Sequence, residues 1–102
     1  MSARRFSDQA ECCQAIAATL ISGVEEPWSS IVCHATLDED SVELIKSYTS
    51  LKGERIEMPF IPWLAESFWE LARLVSTDHK GLFKRCHFSV EASGKYQVSY
   101  DY

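Results

Sequence analysis

The last twenty residues constrain the fold most. Segments 83–91 and 95–102 each alternate apolar and polar side chains around Ala92, Ser93 and Gly94. In the first, Cys86, Phe88 and Val90 share one side, and Arg85, His87, Ser89 and Glu91 share the other. In the second, Tyr96, Val98, Tyr100 and Tyr102 oppose Lys95, Gln97, Ser99 and Asp101. A period of two with one apolar side is the pattern of a β-hairpin that buries a single face. Strand pattern carried to Tyr102 leads us to expect one finished domain over residues 1–102.

The upstream chain supplies what such a hairpin can pack against. Ser7 or Asp8 can cap a helix reaching about Gly23, with Asp8 and Glu11 at capping-box spacing and Cys13, Ile16, Leu20 and Val24 recurring at helical intervals. Residues 28–37 set Ile31, Cys33 and Ala35 against Ser30, Val32, His34 and Thr36, which reads as a strand, and Asp38-Glu39-Asp40 reads as its turn. Strands are expected at 42–49 and 55–58. Pro59 ends the latter, and Pro62 suits the first turn of a helix whose stripe is Leu64, Phe68, Leu71, Ala72 and Val75. Residues 76–81 form a polar loop. The expected fold is therefore α+β in the order α-β-β-β-α-β-β: a five-stranded, mainly antiparallel sheet with two helices packed on one face and the other face partly wet.

A chain of 102 residues with 46% hydrophobic content supports one core. Its apolar runs are far shorter than the roughly 20 residues a bilayer span needs. Met1-Ser2-Ala3-Arg4-Arg5 leads into polar Phe6-Ser7-Asp8-Gln9, unlike a secretory signal, so a cytoplasmic location is expected. The net charge of −5 is uneven: residues 25–70 hold ten acids against Lys46, Lys52 and Arg55, a net of −7. An acidic middle argues against direct binding to nucleic acid, which relies on Lys and Arg at the phosphates. The thiols of Cys12, Cys13, Cys33 and Cys86 are expected to be reduced and buried.

Catalytic and metal patterns are weak. Cys33-His34 and Cys86-His87 pair usual zinc ligands, but adjacent strand residues point to opposite faces, so each thiol would face the core and each imidazole the water. Gly23, Gly53, Gly81 and Gly94 stand singly at predicted ends and turns, without a phosphate-cradling loop or an oxyanion hole. The carboxylates of Asp38, Glu39, Asp40 and Glu43, with Glu54 and Glu57 from the same meander, make a negative field suited to a basic partner. Trp63 and Trp69 each fall one position off the helical stripe and are candidate aromatic anchors. The expectation is a chain that is not an enzyme and holds no metal or cofactor.

Several stretches together resemble the YezG-like family of bacterial antitoxin or immunity proteins. They are Glu26-Pro27-Trp28-Ser29-Ser30-Ile31, the acidic turn after the first strand, the short strand before a Pro-Trp helix, and the terminal hairpin from Phe88-Ser89-Val90-Glu91 through Gly94-Lys95-Tyr96 to Tyr100-Asp101-Tyr102. The resemblance covers about residues 25–102, and immunity proteins of contact-dependent growth inhibition systems are similar. It implies a cytoplasmic protein that binds the toxic C-terminal domain of a cognate effector, commonly a nuclease, as a monomer or 1:1 heterodimer without touching nucleic acid or membrane. Asp38, Glu39, Asp40, Glu43, Glu54, Glu57, Trp63 and Trp69 are then the expected toxin-binding residues. Two other classes compete: a sheet-based RNA-binding module stacking bases on Tyr96, Tyr100 and Tyr102, and a small enzyme using His87.

Overall fold

The structure, a computed structural model, describes residues 8–39, 41–76 and 81–102; Ser7, Asp40 and residues 77–80 of the polar loop lie outside the described residues. The elements follow in the order α1 (Gln9–Ser22), β1 (Trp28–Leu37), β2 (Val42–Ser50), β3 (Arg55–Glu57), α2 (Leu64–Val75), β4 (Arg85–Glu91) and β5 (Tyr96–Asp101). All strands pair antiparallel in one sheet of order β3-β2-β1-β4-β5. The fold is the expected α+β arrangement. Among the described residues no helix is long and apolar enough to cross a membrane.

Local chemistry explains the element ends. The Asp8 carboxylate caps α1 by accepting the Glu11 N–H at 2.8 Å, satisfying a donor the helix leaves free. At its other end, Gly23 lets two side chains approach the helix end closely: a Cβ there would stand 3.1 Å from both Met58 Cε and Ile61 Cδ1. The start of α2 differs from the expectation. Pro62 precedes the helix, and Trp63 caps it in the left-handed region (φ 69°), its carbonyl accepting the Ser67 N–H at 3.0 Å and the Ser67 hydroxyl at 2.8 Å.

One face of the sheet and both helices share a single core. From α1 come Cys12, Cys13, Ile16, Ala17 and Leu20; from α2, Leu64, Phe68, Leu71 and Ala72. The sheet contributes Ile31, Cys33, Ala35, Tyr48, Cys86, Phe88 and Val90, and Phe83 joins them from just before β4. Phe88 holds the centre, meeting Phe68 edge-on at a centroid distance of 6.3 Å and stacking on Tyr96 at 5.5 Å. Small side chains at Cys33, Ala35 and Cys86 give these rings room, as close packing requires. All four cysteines are free and buried. Burial pushes the thiols of Cys12, Cys33 and Cys86 up to about 12 and raises Cys13 as well, which withholds the thiolate form at neutral pH.

The opposite face is open and polar. Cross-strand rows read Glu43, Thr36, Arg85, Asp101, then Ile45, His34, His87, Ser99, then Glu57, Ser47, Val32, Ser89, Gln97. Arg85 stands between Thr36 and Asp101 in the first row, two imidazoles meet in the second, and the third carries Glu57 at its β3 end.

Two outcomes test this arrangement. Phe88→Ala should cost about 3–5 kcal/mol in urea unfolding, whereas truncating its open-face neighbour, His87→Ala, should cost less than about 1 kcal/mol. In the folded protein a thiol reagent should find all four cysteines slow at neutral pH, and denaturant should release all four together.

Candidate partner-binding corner

The structure divides the residues expected to bind a partner. Asp38, Glu39 and Glu43 stand at the β1–β2 turn, lining a cleft shared with Lys84 and Arg85, so their field is partly neutralised. Asp38 is also engaged locally: its carboxylate accepts the Glu39 N–H at 2.8 Å. Glu54 belongs to the other end of the sheet, where its carbonyl accepts the Ser50 N–H and Ser50 pairs with Trp28. From Glu43 to Ser50 the strand runs about 23 Å. Asp40 lies outside the described residues. Trp63 and Trp69 belong to the helix layer on the core side of the sheet, away from Glu43; Trp63 is 38% exposed and Trp69 half-buried. The single acidic surface expected from the sequence is thus corrected to two separated groups, because a sheet places the two ends of a hairpin a strand length apart.

The lining of one cleft gathers acids without a base, although Lys46 shares a neighbouring cleft with Glu57, and Arg55 Nε donates to the hydroxyl of Ser47, the pairing partner of Glu57. At the β3 edge, Glu25, Glu26 and Glu57 line an open cleft together with Gly23, Tyr48, Ile56 and Pro59. The segment after α1 brings Glu25 and Glu26 here, and the β2–β3 hairpin brings Glu57, paired opposite Ser47. Tyr48 donates its hydroxyl to Glu26 Oε2 at 2.7 Å, fixing that carboxylate. The same hydrogen bond, with the nearby negative charge, raises the Tyr48 hydroxyl above its ordinary value of 10.0.

The connector from Met58 to Trp63 meets this cleft at Pro59. Met58 is buried, and its N–H continues the β2–β3 ladder to the Lys46 carbonyl at 3.0 Å. Ile61 packs on the core. Between them Phe60 is pushed outward and is 83% exposed, the highest value among the exposed large apolar side chains. Trp63 is the only non-glycine residue at positive φ among the described residues. A bulky side chain in that region stores about 1–3 kcal/mol of strain, and its surroundings hold it there. Phe60 follows directly on Pro59, which lines the cleft, so an exposed ring on a tethered connector adjoins three carboxylates, the composition of a protein-binding anchor; Trp63 follows three residues later. Sequence reasoning missed Phe60, Glu25 and Glu26. Phe60 sits outside any periodic element, and Glu25-Glu26-Pro27 reads as a helix stop.

The Cys-His dipeptides behave as strand geometry demands. Cys33 and Cys86 are buried, while His34 and His87 meet edge-on across the open face with ring centroids 4.6 Å apart. His87 Nε2 lies 3.1 Å from Asp101 Oδ2. Among the described residues no group of three or more His, Cys, Asp or Glu side chains is placed to hold a metal ion. Two of the three tyrosines that might have stacked bases lie on rings of the core, Tyr96 on Phe88 and Tyr100 on Phe83 at 5.2 Å, while Tyr102 is 42% exposed.

No family model matches this chain, and no match to a curated protein is found.

The Tyr48–Glu26 bond has a pH signature. Because the folded hydroxyl is raised above its unfolded value, the bond contributes stability below about pH 10 that is lost as pH climbs through the folded value. The stability gap between the wild type and Tyr48→Phe should therefore stay constant at neutral pH and narrow in alkali, read by urea unfolding over a pH series. A gap that widens in alkali would contradict the assigned bond.

Proposed function

We infer that this chain is a cytoplasmic immunity protein that binds and neutralises the toxic C-terminal domain of a bacterial effector, a nuclease of the kind delivered in contact-dependent growth inhibition. The resemblance of the 26–31 segment and the terminal hairpin to YezG-like proteins motivates the reading. One structural observation carries the mechanism: Glu25, Glu26 and Glu57 surround an open cleft beside the exposed Phe60. A nuclease must be basic where it holds phosphate, so carboxylates placed opposite that surface accelerate encounter and compete with substrate. An aromatic ring entering a pocket then supplies affinity that charge alone does not.

The corner revises the expected contact set. Glu57 stays in it, Glu25, Glu26 and Phe60 enter, Trp63 is kept as a second anchor three residues along the chain from Phe60, and Asp38, Glu39 and Glu43 fall to the distant turn with its own bases. The stacking of Tyr96 on Phe88 and of Tyr100 on Phe83 weighs against the RNA-binding alternative, of whose three tyrosines Tyr102 is 42% exposed.

Co-expression with the basic C-terminal domain of an effector from the same locus tests the reading. Phe60→Ala should weaken the complex about 30-fold, the loss of a typical anchor. Reversing Glu25, Glu26 and Glu57 to lysine should abolish protection, while reversing Glu39 and Glu43 should change affinity by less than about threefold. Full protection by the corner triple variant would reject the assignment.

A further inference from the structure

The two edges of the sheet are built differently. β3 is three residues long, presents Arg55 and Glu57, and is followed within two residues by Pro59; shortness, charge and proline all keep an edge from pairing. β5 runs over six residues with no proline and a regular register, and among the described residues nothing pairs with its outer side. The Glu91 N–H donates to the Lys95 carbonyl at 2.8 Å, and the Lys84 N–H donates to that of Asp101 at 2.7 Å. In the alternation of an antiparallel ladder, Lys95, Gln97, Ser99 and Asp101 thus direct their backbone groups toward β4. Tyr96, Val98 and Tyr100 direct theirs outward. Their side chains are only partly covered and lie against the core.

The strand is also complementary to itself. We propose that β5 pairs antiparallel with β5 of a second copy about a two-fold axis at Val98, joining two five-stranded sheets into one. In this register Lys95 faces the partner's Asp101, Tyr96 faces the partner's Tyr100, Gln97 faces the partner's Ser99, and Val98 meets its own equivalent. Every outward backbone group is then matched, giving about six N–H···O bonds across the axis. Moving the axis to Gln97 sets Lys95 against the partner's Ser99; moving it to Ser99 sets Asp101 against the partner's Gln97. Either shift leaves the charges unmatched and shortens the overlap, so charge pairing selects Val98 as the centre. Lys95 and Asp101 are both exposed, Asp101 also lying 3.1 Å from His87 Nε2 on its own sheet. The acidic corner sits at the opposite, β3 edge, so the dimer leaves both corners open, and the pairing stands independently of the proposed function.

Analytical ultracentrifugation of the full chain over a concentration series, with amide exchange measured at Tyr96, Val98 and Tyr100, tests the proposal. The expected result is a concentration-dependent dimer whose three outward amides are protected together with dimer formation. Lys95→Glu and Asp101→Lys should each raise the dimer dissociation constant about tenfold, since each places two like-charge pairs across the axis. The double exchange, Lys95→Glu with Asp101→Lys, should restore it to within about threefold. Asp101→Lys also removes the contact to His87, but so does the double variant, so the rescue reads the cross-axis pairing alone. A chain that stays monomeric, a dimer insensitive to Lys95→Glu, or a double variant no better than the singles would each overturn the proposal. Protected outward amides in a monomer would overturn it as well, assigning the edge to another part of the same chain.

Discussion

The buried side of β1 is the constraint on which the rest depends. Ile31, Cys33 and Ala35 are fully buried, and their strand is paired on both flanks, with β2 on one side and β4 on the other. Two of these three side chains are small, which allows Phe68 and Phe88 to fill the space between helix and sheet. A larger residue at Cys33 or Ala35 would have to displace a ring, and overpacking of this sort destabilises a core. Because β1 joins the β1–β2–β3 meander to the β4–β5 hairpin, every surface feature takes its position from this strand.

That central position produces two unlike edges. The β3 edge is short and charged, and it adjoins the end of α1, where Gly23 lets Met58 and Ile61 approach closely. The approach anchors the connector on both sides of Phe60, so an exposed aromatic ring and three carboxylates occupy one corner. The β5 edge is long and regular, with opposite charges at its two ends. Each edge thus suits a different kind of contact, one heterologous and electrostatic, the other self-complementary through the backbone. The open face between them sets Arg85 beside Asp101 and brings two imidazoles together near its middle.

Much of the fold was legible because the chain is locally consistent. Strand alternation located β1, β4 and β5 to within two residues, and the Leu64, Phe68, Leu71 spacing located α2. The opposite orientations of Cys33 and His34, and of Cys86 and His87, followed from the same alternation. The candidate site was less legible. Carboxylates close in sequence read as one field, yet Glu43 and Glu54 belong to opposite ends of one strand, and Lys84 and Arg85 arrive from β4 to offset the turn. Phe60 carries no periodic signal, since its exposure results from the anchoring of its neighbours. The positive φ of Trp63 has no precedent in residue type, because a tryptophan is among the least suited to that region.

What the sequence determined by itself was the identity and order of the elements and the buried side of both helices and of β1, β4 and β5, since hydrophobic period, capping residues and turn residues act over a few positions. Only the tertiary structure decided that β4 enters beside β1, that the acids separate into two groups, and that the final strand is left on an edge. The place of β4 depends on contacts between residues more than fifty positions apart, such as Cys33 with Phe88, and the acidic corner on shorter-range ones such as Tyr48 with Glu26. Local patterning is silent about them, because any strand with one apolar face satisfies its own alternation equally well beside several neighbours.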